Sequence, residues 1–237
     1  MKRIFFLIAA SLISVALSAQ TWGYNQFEMK VTDEHHDLIV EAFEEQADNV
    51  KMSNGNFWLE MIAGHTDGMT HRMGWAWELG TDWIAENDPK GTELFWYKME
   101  EYVEEWGPSY SGRVLSWSEE TDNPDDNKFS HVWDFKVKNP KQFKTGHDNF
   151  VKRFEKEFDG HDVFMGSYDF HGPNGATHFV GVTGKDMEDH LMLYDELQKQ
   201  DDFYVLLSER GEVDRARDLE LEVLKLAENI VSQEYDN

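Results

Sequence analysis

A seven-residue motif occurs twice in this chain of 237 residues and limits how the rest of it can fold. The motif reads Gly-x-Thr-His-x-x-Gly, and its copies occupy residues 68–74 and 175–181, an offset of 107 positions. Residues outside the motif recur at the same offset, as Phe43 and Phe150 do. We interpret the chain as a duplicated unit, and the duplication says more about the fold than about the chemistry.

Residues 1–19 have the pattern of a secretory signal. Lys2 and Arg3 precede an apolar run from Ile4 to Leu17, and small residues follow. The run is short for a membrane span, so we expect cleavage near its end, an extracytoplasmic protein (periplasmic or secreted) and no membrane anchor. The chain has no cysteine, so its stability must come from its core rather than from disulfides.

The charge balance narrows the choice of partners. The formal net charge is −25, which repels phosphate backbones and anionic lipid, so we predict no nucleic-acid partner. The high aromatic content, 14% of residues, indicates a folded chain rather than a disordered acidic one. A solvated acidic surface that maintains solubility is the simplest interpretation of the charge.

The order of predicted elements is β-α-β-β-α-β in both halves. The predicted domains are a first repeat at 20–118, an acidic linker at 119–130, a second repeat at 131–226 and a polar tail at 227–237. In the first repeat we predict strands at 26–31, 57–63, 69–79 and 113–117. Its helices are predicted from Asp33 to Met52 and from Glu93 to Trp106, the latter with Leu94 and Tyr97 among its apolar residues.

The second repeat carries clearer signals. Asn139-Pro140 is typical of a helix start, and a helix is predicted at 186–200. Its apolar residues are Met187, Leu191, Tyr194 and Leu197. A segment at 203–209 is predicted to continue the helix after a kink.

This order is the ferredoxin-like arrangement, an antiparallel sheet with both helices on one face. Two such units in one chain can pack sheet against sheet. The chain therefore resembles the dimeric α+β barrel superfamily in a tandem form. That group includes antibiotic-biosynthesis-monooxygenase-like, EthD-like, stress-responsive A/B-barrel and chlorite-dismutase-like proteins. The resemblance implies an α+β fold, two tandem ferredoxin-like repeats packed as one pseudo-symmetric α+β barrel. It also implies a pocket inside the barrel or between sheet and helices, with small aromatic ligands or haem in some members.

The repeated histidines, His71 and His178, are the candidate catalytic residues. Strand alternation places each in an apolar row, where an imidazole can act as a general base, a haem ligand or a hydrogen-bonding group. The alternative is a core histidine that holds the hairpin. Turn histidines at positions 65 and 171 could bring a Zn²⁺ or Cu²⁺ ion to His71 and His178. Their spacing matches no defined motif, so we predict no metal site.

The first strand of each repeat carries an acid and a base two residues apart, Glu28 with Lys30 and Asp134 with Lys136. If the apolar residues between them face the helices, these charges point toward the barrel interior. We take them as candidate ligand-binding residues. The alternative is a set of cross-strand ion pairs on a partly wet face.

Tryptophans crowd the first repeat, and the second repeat has Gly184 and His190 at two of the corresponding positions. Aromatic side chains bind planar ligands but also fill cores. We predict a ligand pocket in the first repeat, lined by Trp75, Trp77 and His71.

The sequence lacks a phosphate-binding glycine loop, a G-x-S-x-G elbow, a cysteine nucleophile and H-E-x-x-H. The function that these observations favour is binding of a small aromatic or apolar molecule, with cofactor-free or haem-assisted oxidative activity open. The alternative is a non-catalytic structural or interaction module with an acidic surface. The sequence assigns neither a cofactor nor an oligomeric state.

Overall fold

The computed structural model describes residues 21–64, 68–82, 84–118, 127–170 and 172–227. The predicted signal and most of the predicted linker and tail lie outside these ranges. The elements of the first repeat are β1 (Trp22–Val31), α1 (His36–Asn49), β2 (Val50–Met52), β3 (Gly55–Gly64), β4 (His71–Glu78), β5 (Ile84–Asn87), α2 (Pro89–Tyr102) and β6 (Val103–Ser118). Those of the second are β7 (Phe129–Val137), α3 (Pro140–Arg153), β8 (Val163–Phe170), β9 (His178–Gly184), α4 (Met187–Gln198), α5 (Phe203–Glu209) and β10 (Val213–Ala227).

The long strands close into one barrel in the order β1-β4-β3-β10-β7-β9-β8-β6, and β2 and β5 form a small separate sheet. Within each repeat the order is that of a ferredoxin-like sheet: β6-β1-β4-β3 in the first and β10-β7-β9-β8 in the second. The two seams join the last strand of each repeat to the second long strand of the other, β10 to β3 and β6 to β8. This confirms the predicted fold class.

Helix starts follow from local capping chemistry. Asn139 accepts a hydrogen bond from the Gln142 backbone N–H at 3.2 Å, with Pro140 at the first helical position of α3. Asp186 caps α4 by accepting from the Asp189 N–H at 2.9 Å. No helix in the described part of the chain combines the length and the apolarity needed to cross a membrane.

The barrel wall has two faces with different contents. The outer face packs on the helices, where Met29, Met73 and Phe95 belong to one core cluster and Val163 and Phe203 to another. The inner face holds aromatic and aliphatic clusters together with buried charges. Strand alternation therefore sorts each side chain either toward a helix or toward the barrel interior.

The outer glycines of the repeated motif have a structural role in both halves. Gly68 and Gly175 have φ angles of +86° and +81°, a left-handed conformation that favours glycine. At the other end, a Cβ on Gly74 would lie 2.5 Å from the Trp58 ring, and one on Gly181 would lie 2.1 Å from the Phe164 ring. The last glycine of each copy therefore leaves room for an aromatic ring from the neighbouring strand.

The threonine of each motif copy ties two strands together. Thr70 Oγ1 accepts from the Val31 N–H at 2.8 Å, and Thr177 Oγ1 accepts from the Val137 N–H at 3.0 Å. In both copies the same hydroxyl lies 2.9 Å from Nδ1 of the following histidine. The motif thus fixes the end of the first strand against the start of the hairpin's second strand.

The structure corrects several element boundaries. Helix α1 ends at Asn49, and residues 50–52, predicted as its last turn, form β2. Helix α2 ends at Tyr102, and residues predicted as its last turn belong to β6, which runs through Gly107. Gly107 packs so closely on the backbone of β1 that a Cβ there would lie 2.9 Å from the Glu28 carbonyl oxygen. Gly107, which directly follows the predicted helix end, is therefore a close strand contact at a point where the register of β1 and β6 shifts.

The helix faces differ from those that the apolar residues suggested. In α2 the buried residues are Phe95 and Met99, while Leu94 and Tyr97 are exposed. In α4 the buried residues are His190, Leu193 and Leu197, while Met187, Leu191 and Tyr194 lie toward solvent. Each helix carries two apolar stripes, and packing on the sheet selects one of them.

Candidate functional site

The barrel interior contains a network of buried ions. Glu28 and Asp134 are both 0% exposed, and both pair with Arg217 of β10. Arg217 donates from Nη1 to Glu28 at 2.6 Å and from Nε to Asp134 at 2.9 Å. Tyr168 donates to the other oxygen of Asp134 at 2.6 Å. Glu28 and Asp134, both predicted as ligand-binding residues, therefore share one cation across the two repeats.

A second buried pair lies in the same interior, where Arg72 donates to Glu60 at 2.6 Å. Burial raises the pKa of Asp134 against the opposing effect of Arg217 and Tyr168. Burial, followed by the charge of Asp134, also holds the pKa of Tyr168 well above its usual range. These groups pair with one another, so the interior is best explained as a polar core of ion pairs.

The predicted lysine partners lie elsewhere. Lys30 is half exposed and forms an ion pair with Glu104 at 3.0 Å rather than with Glu28. Lys136 is exposed near the end of β7. The prediction that Glu28 and Asp134 point into the barrel is confirmed by their burial. The lysines two residues further along each strand lie near the strand ends, where their side chains reach solvent. Their role as ligand-binding residues stays a prediction.

His71 points out of the barrel toward α1. Its Nε2 lies 3.0 Å from Nδ1 of His36, beside a surface cleft of about 430 Å³ that Asp33 and Asp37 also line. Burial, followed by the charge of His36, lowers the pKa of His71 to about 4. One nitrogen of the neutral ring donates and the other accepts, so His71 donates to one of its two partners, Thr70 and His36, and accepts from the other. His71 is therefore neutral and hydrogen-bonded on both nitrogens.

His178 occupies the corresponding position on β9 but has a different neighbour. The ring of Phe143 in α3 lies 5.6 Å from the His178 ring. Burial lowers the pKa of His178, with Asp169 acting in the opposite direction. The two motif histidines thus share their threonine contact and differ on the helix side. The catalytic and the structural interpretations of these histidines both stay predictions.

Trp75 and Trp77 are half-buried on the outer face of β4. Trp75 packs edge-to-face on Phe27 with ring centroids 6.2 Å apart, and Phe27 also contacts Trp96 and Trp106. These rings fill the space between the sheet and α2. The aromatic excess of the first repeat is thus used in packing, and the ligand-binding role of Trp75 and Trp77 stays a prediction.

An apolar cavity of about 180 Å³ lies in the second repeat, between the sheet and helices α3, α4 and α5. Its wall is mostly aromatic and aliphatic, including Trp133, Phe150, Val182, Leu193 and Phe203. Arg215 and Tyr194, which also line it, are exposed and mark its opening to solvent.

Two polar side chains stand out in this apolar wall, and one is His190 of α4, which is 5% exposed. Its Nε2 lies 2.9 Å from Nδ1 of His131 in β7, and His131 Nε2 contacts Asp218 of β10. Burial, followed by the charge of His131, lowers the pKa of His190 to about 4. Burial alone would raise the pKa of Asp218, but its hydrogen bond from His131 lowers it.

The other is Arg210, whose guanidinium lies 4.7 Å from the Phe150 ring centroid. It donates to Nδ1 of the buried His147 at 3.3 Å. Among the described residues no carboxylate forms an ion pair with it, and burial lowers the pKa of Arg210 to about 10. The cavity wall therefore contains a largely buried cation whose usual partner is missing from the described part of the chain.

Five residues of the two polar networks were not predicted from the sequence: His131, His190, Arg210, Arg217 and Asp218. One available signal was position: His190 falls on one helical stripe with Leu193 and Leu197, and Arg217 alternates with Leu219 and Leu221. A polar residue on a buried stripe is a candidate for a partner or a site. No comparable signal links Asp218 to His131, because their contact depends on the pairing of β10 with β7.

The turn histidines that suggested a metal, at positions 65 and 171, lie outside the described residues. Within the described ranges no group of three histidine or acidic side chains is arranged to hold a metal ion.

Solved structures of similar fold span nearly the whole chain. A candidate monooxygenase from Fusobacterium nucleatum aligns at a TM-score of 0.59 and 15% identity, over 88% of this chain and 95% of its own. One from Lactobacillus acidophilus aligns at 0.60 and 10% identity, over 89% and 97%. A candidate chlorite dismutase aligns at 0.51 and 8% identity, over 87% and 96%. No protein-family model and no curated protein sequence matches the chain.

Similarity at such low identity establishes the fold alone. The structures compared have folds of the dimeric α+β barrel type, and the strand order of this chain gives the same architecture. The EthD-like and antibiotic-biosynthesis-monooxygenase-like assignments stay predictions. The chain is an α+β barrel of two tandem ferredoxin-like repeats, with the fold of the dimeric α+β barrel superfamily.

Proposed function

We propose that the protein binds a small aromatic or apolar molecule between the sheet and the helices of its second repeat. The observation that carries the proposal is the apolar cavity of about 180 Å³. A cavity of about 150 Å³ lined by aliphatic and aromatic side chains is large enough to bind benzene. The natural ligand would therefore be a molecule of about one ring.

The size of the cavity also determines whether haem could bind in it. Pockets for drug-sized ligands start at about 300 Å³, and haem is larger than most such ligands. The described cavity does not fit a haem, so our proposal contains no haem-dependent step. Two proteins of similar fold are named as candidate monooxygenases. Their names support oxidation of the bound molecule by dioxygen as the reaction to assay, and cofactor-free oxidation is the form of it that we propose.

The binding test uses two phenylalanine substitutions on α4. Leu193→Phe adds a ring to the cavity wall, whereas Leu191→Phe adds the same ring at a position that is 58% exposed and outside the wall. We expect toluene to quench Trp133 fluorescence or raise the melting temperature in the wild type and in Leu191→Phe. Leu193→Phe should weaken this response at least tenfold. Equal binding by all three proteins would place the ligand elsewhere.

An interaction role is the second candidate function. Helices α4 and α5 expose an apolar surface that includes Leu191, Met192, Tyr204 and Val205, each between 58% and 64% exposed. Such a surface on an acidic protein favours association with another protein. Light scattering of the wild type and of a Met192→Glu/Val205→Glu variant would test it. A mass that matches one chain in both proteins at all concentrations would argue against self-association.

A further inference from the structure

The contacts of His190 determine which of its nitrogens carries the proton. Ionised Asp218 can only accept a hydrogen bond, so His131 must donate to it from Nε2. In a neutral His131 the other nitrogen, Nδ1, is then an acceptor. It can only accept from His190 Nε2, 2.9 Å away. His190 Nδ1 is therefore left as a lone pair without a proton.

This nitrogen is buried and has no hydrogen-bond partner among the described residues. Leaving a buried acceptor unsatisfied costs about 1–3 kcal/mol. Neighbouring groups do not supply a donor. His161 uses Nδ1 on the Thr183 carbonyl oxygen at 2.8 Å, and Asp189 accepts from the Lys185 N–H at 3.0 Å. Arg215 is directed to Asp218 at 2.9 Å.

The cavity that His190 lines can supply the missing donor, so the inference rests on the function proposed above. We propose that the ligand is a phenol, whose hydroxyl donates to His190 Nδ1, and that Asp218, His131 and His190 form a relay that removes its proton. An aromatic ring suits the apolar wall, and a hydroxyl is the smallest substituent that satisfies the buried nitrogen.

The proton step balances within named atoms. The phenol O–H bond breaks and its proton joins His190 Nδ1, while the proton on His190 Nε2 moves to His131 Nδ1. The products are a phenolate in the cavity and an imidazolium at His131, which donates to Asp218. No oxidant or metal is needed. A neutral His190 is the acceptor before the transfer and is neutral again after it.

Arg210 favours the charged product. Its guanidinium lines the same cavity and has no carboxylate partner among the described residues. A phenolate would give this largely buried cation a counter-charge. The wall therefore has one group that takes the proton and another that stabilises the remaining anion.

The test compares two molecules of nearly equal size, 4-nitrophenol and 4-nitrotoluene, in which a methyl group replaces the hydroxyl. Nitrophenol absorbs differently once ionised, so its protonation can be followed in the bound state. With the wild-type chain at pH 6 we expect nitrophenol to bind at least tenfold more tightly than nitrotoluene. We also expect bound nitrophenol to ionise at least about one pH unit lower than free nitrophenol.

The variants separate the roles of the residues. His190→Phe should abolish both differences and keep nitrotoluene binding, which shows that the cavity is intact. Asp218→Asn should keep nitrotoluene binding and remove most of the ionisation shift, because the imidazolium at His131 loses its counter-charge. Asp189→Asn, which changes an acid near His190 outside the relay, should behave as wild type.

The outcomes distinguish the two proposals. If neither molecule binds to the wild type, the proposed binding function is wrong. If both bind with equal affinity, or if nitrophenol binds tightly but ionises as it does in solution, cavity binding stands and the relay is refuted.

Discussion

Arg217 Nη1 lies 2.6 Å from Glu28 Oε1, which joins the last strand of the barrel to the first across 189 positions of sequence. Arg217 also pairs with Asp134, so a single guanidinium is shared by two carboxylates that are fully buried. Removing one member of a buried ion pair leaves an uncompensated charge, which is far more costly than the net contribution of the pair.

We therefore expect Arg217→Met to lower the free energy of unfolding by about 3–5 kcal/mol. The matched control is Arg153→Met. Arg153 also makes two charged hydrogen bonds, both to Asp202, but it is half exposed, and an exposed pair contributes about 0–1 kcal/mol. Urea denaturation at pH 7 measures both. Equal losses in the two variants would show that the interior network contributes no more than a surface pair.

Valine substitutions at the two motif threonines, Thr70 and Thr177, should differ in how much they lower the stability of the fold. Thr70→Val deprives the Val31 N–H of its acceptor at a half-buried site and should cost about 1–3 kcal/mol. Thr177→Val removes the equivalent contact at an exposed position, where water can replace it, and should cost less. Serine at either position keeps the hydroxyl and should restore most of the loss. Melting temperatures that fall equally for valine and serine would point to packing rather than to the hydrogen bond.

Stability should fall as the pH is lowered from about 6.5 to 4. His71 and His190 both have a folded-state pKa of about 4, below the ordinary histidine value of 6.5. Between pH 6.5 and pH 4 the unfolded chain therefore binds more protons than the folded chain. The contribution of these two residues to the free energy of unfolding is complete above pH 6.5 and is lost as the pH falls from 6.5 to about 4. A shift of this size corresponds to about 3 kcal/mol for each residue as an upper value. In His71→Phe and His190→Phe the free energy of unfolding should depend less on pH between 6.5 and 4 than in the wild type. If neither variant changes this pH dependence, the lowered pKa values of the two histidines are contradicted.

The predicted export of the protein can be tested through its N-terminal residues 1–19. If residues 1–19 are a secretory signal, expression of the full sequence in a bacterium should give a periplasmic or secreted protein that begins near Gln20. Intact-mass measurement of the fractionated protein locates the cleaved bond. A Leu7→Arg/Ile8→Arg variant interrupts the apolar run and should retain the uncleaved chain in the cytoplasm. Full-length wild-type protein in the cytoplasmic fraction would refute the export proposal.

The fold could be predicted because its signals are local and occur twice. Three signals depend only on residues that are close in sequence: the strand alternation in β1 and β7, the Asn139 cap and the repeated motif. Because the unit is duplicated, the prediction for one repeat could be checked against the other. The same signals placed Glu28 and Asp134 on the inner face of the barrel, because side-chain direction in a strand follows from alternation alone.

The cavity could not be predicted in the same way, because it depends on which side of each helix meets the sheet. In α4 the stripe that carries Met187 and Leu191 is as apolar as the one that carries Leu193 and Leu197. Only the packed structure shows that the second stripe is buried and brings His190 to the cavity wall. The contact of His131 with Asp218 joins residues 87 positions apart and depends on strand register, which composition does not reveal.

Because the barrel closes through two seams between the repeats, the chain could be split into two fragments that assemble with each other. Neither repeat completes the barrel from its own strands, since both seams are formed with the other repeat. A chain cut within the acidic segment between β6 and β7 would yield two fragments, each with two strand edges that pair with the other fragment in the intact barrel. We expect such fragments to be insoluble or self-paired alone and to reconstitute the barrel when co-expressed, which would make this protein suitable for split-reporter and fragment-complementation designs.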